Sequence, residues 1–400
     1  MDNQFRKAQT DQQNKEPFST PEQVAAHDSE PDTNPLFISD HVKTTEQAKG
    51  FWSKLWPPNK YTWIIAAVIL LLLGGSGYLL LNKHHKAPIS TKIVIHEPPK
   101  PTTVASTLTG LQVDPAQNKL PITAVMIENS LFARPQSGLG EAGVVFEALA
   151  EGGITRFVAI YQGNNATSIG PVRSARPYFI SWMMGFDADY AHVGGSPEAL
   201  SDISAWNVKN MDQFSNGSYY TRISSRQAPH NVYTTLAQLY TLEQAKGYTT
   251  SNFSSWPRKI ASPLKTPTAS SIAMVLSGPD YNVSYAYNSK SNSYDRSNGG
   301  SAAIDAYSNK QISPQVVIAI VVPESNGLLD STGAYYSNYS TIGNGTAYVF
   351  QDGGVTTGTW SKSSNNSQIS FSDAAGKPIA LNPGETWITA VTSTSAVTYK

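Results

Sequence analysis

Hydropathy changes character three times along the chain. Residues 1–60 are polar, rich in Gln, Asp and Glu, and show no periodic apolar positions; they read as a disordered tail. The next stretch, "YTWIIAAVILLLLGGSGYLLL" (Tyr61 to Leu81), carries no charge over 21 residues. That length is sufficient for one helix to cross a bilayer. Residues 82–106 are rich in Pro, Lys and Thr and read as a stalk. From residue 107 onward, apolar runs alternate with turn residues, as in a folded protein.

The folded part divides by pattern. In 107–250, "ITAVMIEN" (Ile122 to Asn129) reads as a buried strand. "VVFEALAEGGITRFVAIY" (Val144 to Tyr161) reads as a hairpin with Gly152-Gly153 as a two-residue turn. With that turn, Leu149 pairs with Arg156, and Glu147, Glu151 and Arg156 share one face. "PYFISWMM" reads as a short helix with Pro177 at its first position. "GGSPEALSDISAW" reads as a glycine turn and a helix capped by Ser196, with Pro197 at its first position. "YTTLAQLYTLEQAKG" reads as a longer helix stopped by Gly247. A Ser/Thr/Pro-rich break at 251–270 reads as a linker. Residues 271–400 hold strand-like runs between Asn-Gly, Gly-Gly and Pro-Gly turns and no convincing helix. The expected fold class is α+β: a mixed α/β first domain and a small β-rich second domain, preceded by one transmembrane helix.

Charge and composition then limit the function classes. The formal net charge is zero, which argues against nucleic acid as a partner. There is no cysteine, so disulfides, thiolate metal sites, a cysteine nucleophile and a lipidated cysteine are all excluded for these residues. Trp52, Trp56, Tyr61 and Trp63 gather at one end of the apolar run, where an aromatic belt lies. Lysines do not orient the span: Lys43, Lys49, Lys54 and Lys60 precede it, and Lys83, Lys86, Lys92 and Lys100 follow it. Content orients it instead, with the short tail cytoplasmic and the large foldable part outside the cell membrane.

Candidate chemistry concentrates in arginine. Six of the nine arginines fall between Arg134 and Arg226, where Lys209 is the single lysine. A guanidinium is permanently charged and bidentate, which suits phosphate or carboxylate. "SIGPVRSARPYF" sets Arg173 and Arg176 just before the helix at Pro177. "HVGGSPEAL" offers Ser196 and a close-approach glycine pair, and "RQAPHN" carries Arg226, His230 and Asn231. Of seven histidines, only His192 and His230 lie beyond the stalk. The catalytic candidates are therefore His192, His230, Glu147 and Glu151. The ligand-binding candidates are Arg156, Arg173, Arg176, Ser196, Arg226, His230 and Asn231. Each also has a structural reading: Arg156 with Glu147 and Glu151 as an ion pair fixing hairpin register, Ser196 as a helix cap, and a histidine satisfied in the core. No HxxxH-type spacing supports a metal, and no nucleotide or cofactor fingerprint is present.

These same blocks, with "ENSLFARPQSGLGEAGVVFEALAEGGITRFVAIYQG" before them and "YDRSNGG", "GNGTAYVFQDG", "GTWSK" and "LNPGETWI" after them, resemble the DUF3048 family of YerB-like bacterial lipoproteins. The resemblance covers about residues 107–400. It implies a two-domain extracytoplasmic protein and implies no activity. Positions matching the family's motifs are Arg134, Glu147, Glu151, Gly153, Arg156, Arg173, Arg176, His192, Ser196, Arg226, His230 and Asn231. The chain departs from the family in its anchor, having no lipobox cysteine.

The expectation is a membrane-anchored protein that binds an anionic cell-envelope glycan or phosphate ligand through an Arg/His-lined cleft. A hydrolase or transferase on such a polymer is the second reading. In the third, a structural scaffold, the Arg–Glu pairs are internal.

Overall fold

A computed structural model describes residues 64, 67–72, 102–163, 166–329, 333 and 335–400. The chain falls into two compact units, Met1–Ile95 and His96–Lys400. In the first, the described residues, Ile64 and Ala67–Leu72, are helical. Most of the expected membrane span at 61–81 lies outside the described residues, as do the tail at 1–60 and most of the stalk. Among the described residues, no helix is long and apolar enough to cross a membrane.

The second unit is α+β and rich in strands. Its main strands are β1 (Thr123–Glu128), β2 (Val144–Leu149), β3 (Thr155–Tyr161), β4 (Asp189–His192), β5 (Asn210–Asp212), β6 (Ser271–Met274), β7 (Val283–Asn288), β8 (Ser293–Asn298), β9 (Ser301–Ala302), β10 (Val316–Val321), β11 (Gly343–Gln351), β12 (Gly354–Lys362), β13 (Ser370–Asp373), β14 (Thr386–Val391) and β15 (Val397–Tyr399). Three α-helices join them: α1 (Pro177–Met184), α2 (Pro197–Ala205) and α3 (Leu236–Lys246). One ten-stranded mixed sheet runs β13-β12-β11-β10-β14-β2-β3-β1-β4-β5, and a five-stranded sheet runs β9-β8-β7-β6-β15.

The large sheet crosses from the 107–250 segment into the 271–400 segment without a break. The join is a parallel pairing of β2 with β14, from Val144↔Thr386 to Glu147↔Thr389. Every residue of β1, β2, β3 and β14 is buried. The run at Ile122 to Asn129, read as a buried strand, fits a strand covered on both faces. On one face, Val144, Phe146, Val158 and Ile160 pack against Tyr178, Phe179 and Trp182 of α1 and Ala199 and Ile203 of α2. On the other, Val145, Phe157, Ala159 and Trp387 pack in one cluster with α3 and with Ile272, Val283, Tyr285 and Tyr294 of the second sheet.

The helix ends follow local chemistry. Pro177 and Pro197 start α1 and α2, where a missing N–H costs nothing. Ser196 Oγ accepts from Ala199 N at 3.2 Å, and Thr235 Oγ1 accepts from Gln238 N at 3.0 Å. Gly247 stops α3 at φ 74°, a left-handed conformation glycine adopts without a Cβ penalty.

The hairpin register differs from the expected one. Leu149 pairs with Thr155 and Ala148 with Arg156. Ala150 N donates to Ile154 O, so the loop is Glu151–Gly153, one residue longer than a Gly-Gly turn. A one-residue slip reverses the face of every side chain on one strand. Glu147 therefore lies opposite Phe157, and Arg156 faces the other side of the sheet.

Candidate functional site

Three glutamates organise the charged residues, and they differ in how completely they are bonded. Glu147 points toward the five-stranded sheet and is fully buried. Its Oε1 accepts from Arg296 Nη2 at 2.8 Å, and its Oε2 accepts from Trp387 Nε1 at 3.1 Å and Thr389 Oγ1 at 3.3 Å. Arg296 also donates to Tyr285 O–H at 2.6 Å and lies 4.3 Å over the Trp387 ring. Burial alone would lower the Arg296 guanidinium, yet the Glu147 carboxylate beside it holds it above its usual range. This network pins the two sheets together.

Glu151, in the hairpin loop, is shared by two arginines. Arg156 Nη2 contacts Oε1, while Arg176 Nε and Nη2 reach Oε2 at 3.1 and 2.5 Å. Both arginines also donate to loop carbonyls, Arg156 to Ser174 O at 3.0 Å and Arg176 to Ala175 O at 2.6 Å. The Tyr336 ring covers Arg176 at 4.7 Å. Burial, then the neighbouring Arg176 charge, pushes Arg156 down to about 10.

Glu128 ends β1 and is the cross-strand partner of Arg156. Its Oε1 accepts from His230 Nδ1 at 2.9 Å. A carboxylate can only accept, so Nδ1 carries the ring proton and Nε2 is left as the basic nitrogen. Ser130 Oγ lies 3.4 Å from the same Nδ1. Glu128 Oε2 lies 3.6 Å from Arg173 Nε, and neither atom has a hydrogen-bond partner. The Arg173 and His230 side chains are 23% and 21% exposed. The Phe132 ring, 78% exposed, stands 5.6 Å from the imidazole.

Asn129, next to Glu128, holds the turn that follows. Its side chain accepts from Arg134 Nε at 3.0 Å and Gln136 Nε2 at 2.8 Å and donates to Thr155 Oγ1 at 2.6 Å. Arg134 stacks 5.1 Å from the Tyr281 ring. Arg226 straps the turn down through the carbonyls of Phe132 and Pro135, at 2.6 and 2.8 Å. Asn231 accepts from Arg222 Nη1 at 2.9 Å.

The expected residues are therefore only partly gathered. Arg156, Arg173, Arg176, Glu151 and His230 lie at one rim of the sheet, with Glu128 between them. His192 does not face solvent: it is 0% exposed, donates to Gly194 O at 2.7 Å and stacks on Tyr190. Burial lowers its pKa despite Asp212 nearby. Ser196 is buried and spent on its helix cap. A cleft of about 410 Å³ borders Arg226 and is otherwise lined largely by hydroxyls, among them Ser137, Ser168 and Thr235. Another, of about 450 Å³, lies beside Asp305 and Glu385. Neither is lined by Arg173, Arg176 or His230.

Sequence reasoning missed Glu128, Ser130 and Phe132. The signal was available: a polar Glu-Asn-Ser triplet follows the apolar run Ala124 to Ile127, where nothing in the core calls for it. Arg296 was missed as well, although Tyr294 and Arg296 share the inward parity of β8.

Known proteins share this arrangement of segments. Residues 108–249 match the family described as "Protein of unknown function (DUF3048) N-terminal domain", and residues 272–388 match its C-terminal domain. The chain is 33% identical over 289 residues to "Putative lipoprotein YerB" of Bacillus subtilis (strain 168), covering 71% of this chain and 85% of that protein. It is similar to the crystal structure of YerB protein from Bacillus subtilis, with TM-score 0.66 and 29% identity, over 74% of this chain and 99% of the other.

Proposed function

The chain belongs to the DUF3048 family, and from that premise we propose that it is a membrane-tethered extracytoplasmic binding protein whose ligand carries an anionic group. The relative's printed name calls it a lipoprotein. This chain has no cysteine to carry a thioether-linked lipid. The tether in this reading is the uncharged run at 61–81, with residues 1–60 cytoplasmic and the folded unit outside.

Arg173 carries the binding reading. Arg156, Arg176, Arg226 and Arg134 each spend guanidinium N–H groups on protein carboxylates, carbonyls or amides. Arg173 meets Glu128 at 3.6 Å through an Nε that makes no hydrogen bond, and it remains partly open to solvent. An incoming phosphate or carboxylate offers acceptors to this guanidinium, with the His230 ring beside it. The exposed Phe132 ring beside His230 offers an apolar face to the rest of the ligand, such as a sugar ring.

A second reading, a hydrolase or transferase on the same polymer, draws on one observation. Glu128 orients His230 through Nδ1 and leaves Nε2 to act as a general base. Ser130 shares the Nδ1 side, so the nucleophile in this reading is water or a ligand hydroxyl.

The test is retention of the full-length protein, held in nanodiscs, on purified anionic wall polymer and on a neutral glycan. Charge-assisted hydrogen bonds are worth about 1.5–3 kcal/mol, so Arg173→Ala should weaken retention roughly tenfold or more. Equal retention of Arg173→Ala and wild type would refute the binding reading. Release of soluble fragments, lost in His230→Gln, would favour the enzyme. The scaffold reading gains if neither retention nor release occurs.

A further inference from the structure

Away from this rim, both oxygens of Asp189 and Oε2 of Glu243 are buried without a hydrogen-bond donor. Both residues are 0% exposed. Asp189 opens β4, and Glu243 lies on α3. Glu243 Oε1 accepts from Thr123 Oγ1 at 2.6 Å, and Thr123 is the cross-strand partner of Asp189. The two carboxyls thus sit at the same end of β1 and β4, where α3 packs.

The facing charges do not balance them. Lys209 Nζ is 3.6 Å from Asp189 Oδ1. It lies closer to Asp187 Oδ1, at 3.0 Å, and donates to the carbonyls of Asp187 and Thr250 at 3.1 and 2.7 Å. Burial keeps the nearby phenols of Tyr220 and Tyr240 neutral, raising Tyr240 to about 12. One lysine therefore serves Asp187, Asp189 and Glu243 together. A buried carboxylate without donors is costly.

We propose that Asp189 and Glu243 form a proton-operated latch, holding α3 against β1 and β4 while protonated and loosening it when both ionise. Burial, and then the Glu243 charge, pushes Asp189 up to about 8, and burial pushes Glu243 up to about 7. Both folded values lie above the unfolded ones. The folded state therefore binds more protons, and the latch's contribution is complete below the unfolded pKa values and lost as pH rises through 7 to 8. Leu236, Leu239 and Leu242 also anchor α3 in an apolar cluster, so on this proposal the helix loosens locally and the whole unit does not unfold.

The latch reaches the charged rim through the chain. The segment before α3 bonds to the loop before Arg173: Val172 N donates to Val232 O at 2.7 Å, and Ile169 bridges Thr234. His230 and Arg226 lie just upstream. This coupling rests on the binding reading above; the latch itself does not.

Hydrogen exchange of the full-length protein in nanodiscs, corrected for intrinsic rates, tests it. Between about pH 5.5 and pH 8.5, protection of residues 236–246 should fall about tenfold or more while that of 177–184 holds. In Asp189→Asn/Glu243→Gln, protection of 236–246 should stay high at both pH values. Unchanged protection in the wild type, or an unchanged pH response in the double variant, overturns the latch. If the double variant does not fold, Glu243→Gln alone keeps the acceptor for Thr123 and should weaken the pH response; an unchanged response again overturns it. Sulfate, whose charge is constant over this range, probes the coupling separately. Sulfate binding that weakens at high pH more in the wild type than in Glu243→Gln supports the coupling, and an equal pH response in the two refutes it. A working latch with no sulfate binding at any pH removes the binding reading and leaves the latch standing.

Discussion

Glu147 and Glu128 face opposite sides of the large sheet, and each has an arginine beside it. Around Glu147 both oxygens receive donors, and Arg296 lies between aromatic rings with no exposure to speak of. Around Glu128 one oxygen is taken by His230, while the other faces an Arg173 nitrogen that no acceptor completes. The first arrangement is closed and holds two sheets together. The second is open on one side, and an open side is what a ligand needs. Residue types alone do not separate cement from site; the completeness of the hydrogen bonds does.

Breaking the closed network should have the largest effect. Arg296→Met leaves the Glu147 carboxylate buried without its partner and should cost about 3–5 kcal/mol in urea unfolding. Adding Glu147→Leu should recover most of that loss, because a matched apolar pair removes the stranded charge. A double variant no more stable than Arg296→Met would show that the pair does not act as a unit.

Glu151 should rank second. Glu151→Ala removes the shared carboxylate but leaves each arginine a carbonyl partner, Ser174 O for Arg156 and Ala175 O for Arg176, so a loss of about 1–3 kcal/mol is expected by denaturant titration. Arg173→Ala should move unfolding by less than about 1 kcal/mol, since its ion pair is long and partly exposed. That contrast is the sharpest form of the comparison: the variant that most weakens binding should scarcely affect stability. If Arg173→Ala destabilises as much as Arg296→Met, Arg173 is cement too.

The smallest effect concerns acid. Asp352 is a further closed carboxylate, taking bonds from Lys259, from Asn292 at 2.8 Å and from Asn382 at 2.8 Å. Burial raises its pKa, but these bonds outweigh that and leave it below the usual value. Its contribution is present above the unfolded carboxylate pKa and is lost as pH falls through the depressed folded value. Asp352→Asn should accordingly flatten the acid limb of a stability–pH curve. An unchanged limb would assign acid sensitivity elsewhere.

Much of this architecture was legible in the sequence. The apolar run at Ile122 to Asn129 marked β1 as a buried strand, the Gly152-Gly153 turn marked β2 and β3 as a hairpin, and Pro177, Ser196 and Gly247 marked helix ends by local chemistry. The hairpin register was not legible, because a Gly-Gly pair serves both a two-residue and a three-residue loop. That single residue decided whether Arg156 met Glu147. The candidate site was half legible: Arg173 and His230 stood out by type, whereas Glu128, which contacts both, looked like the end of a strand. Arg296 lies 149 residues from Glu147, and no spacing rule spans such a distance.

The pairing of β2 with β14 has a consequence for how the chain comes to be folded. β2 begins at Val144, and its parallel neighbour β14 spans Thr386–Val391. The central sheet cannot close until β14 has been made, a strongly non-local order of assembly. A chain truncated after the first family segment would present β2 as a long apolar edge, an invitation to aggregate. If the unit is extracytoplasmic as proposed, the same delay lets translocation precede closure of the sheet.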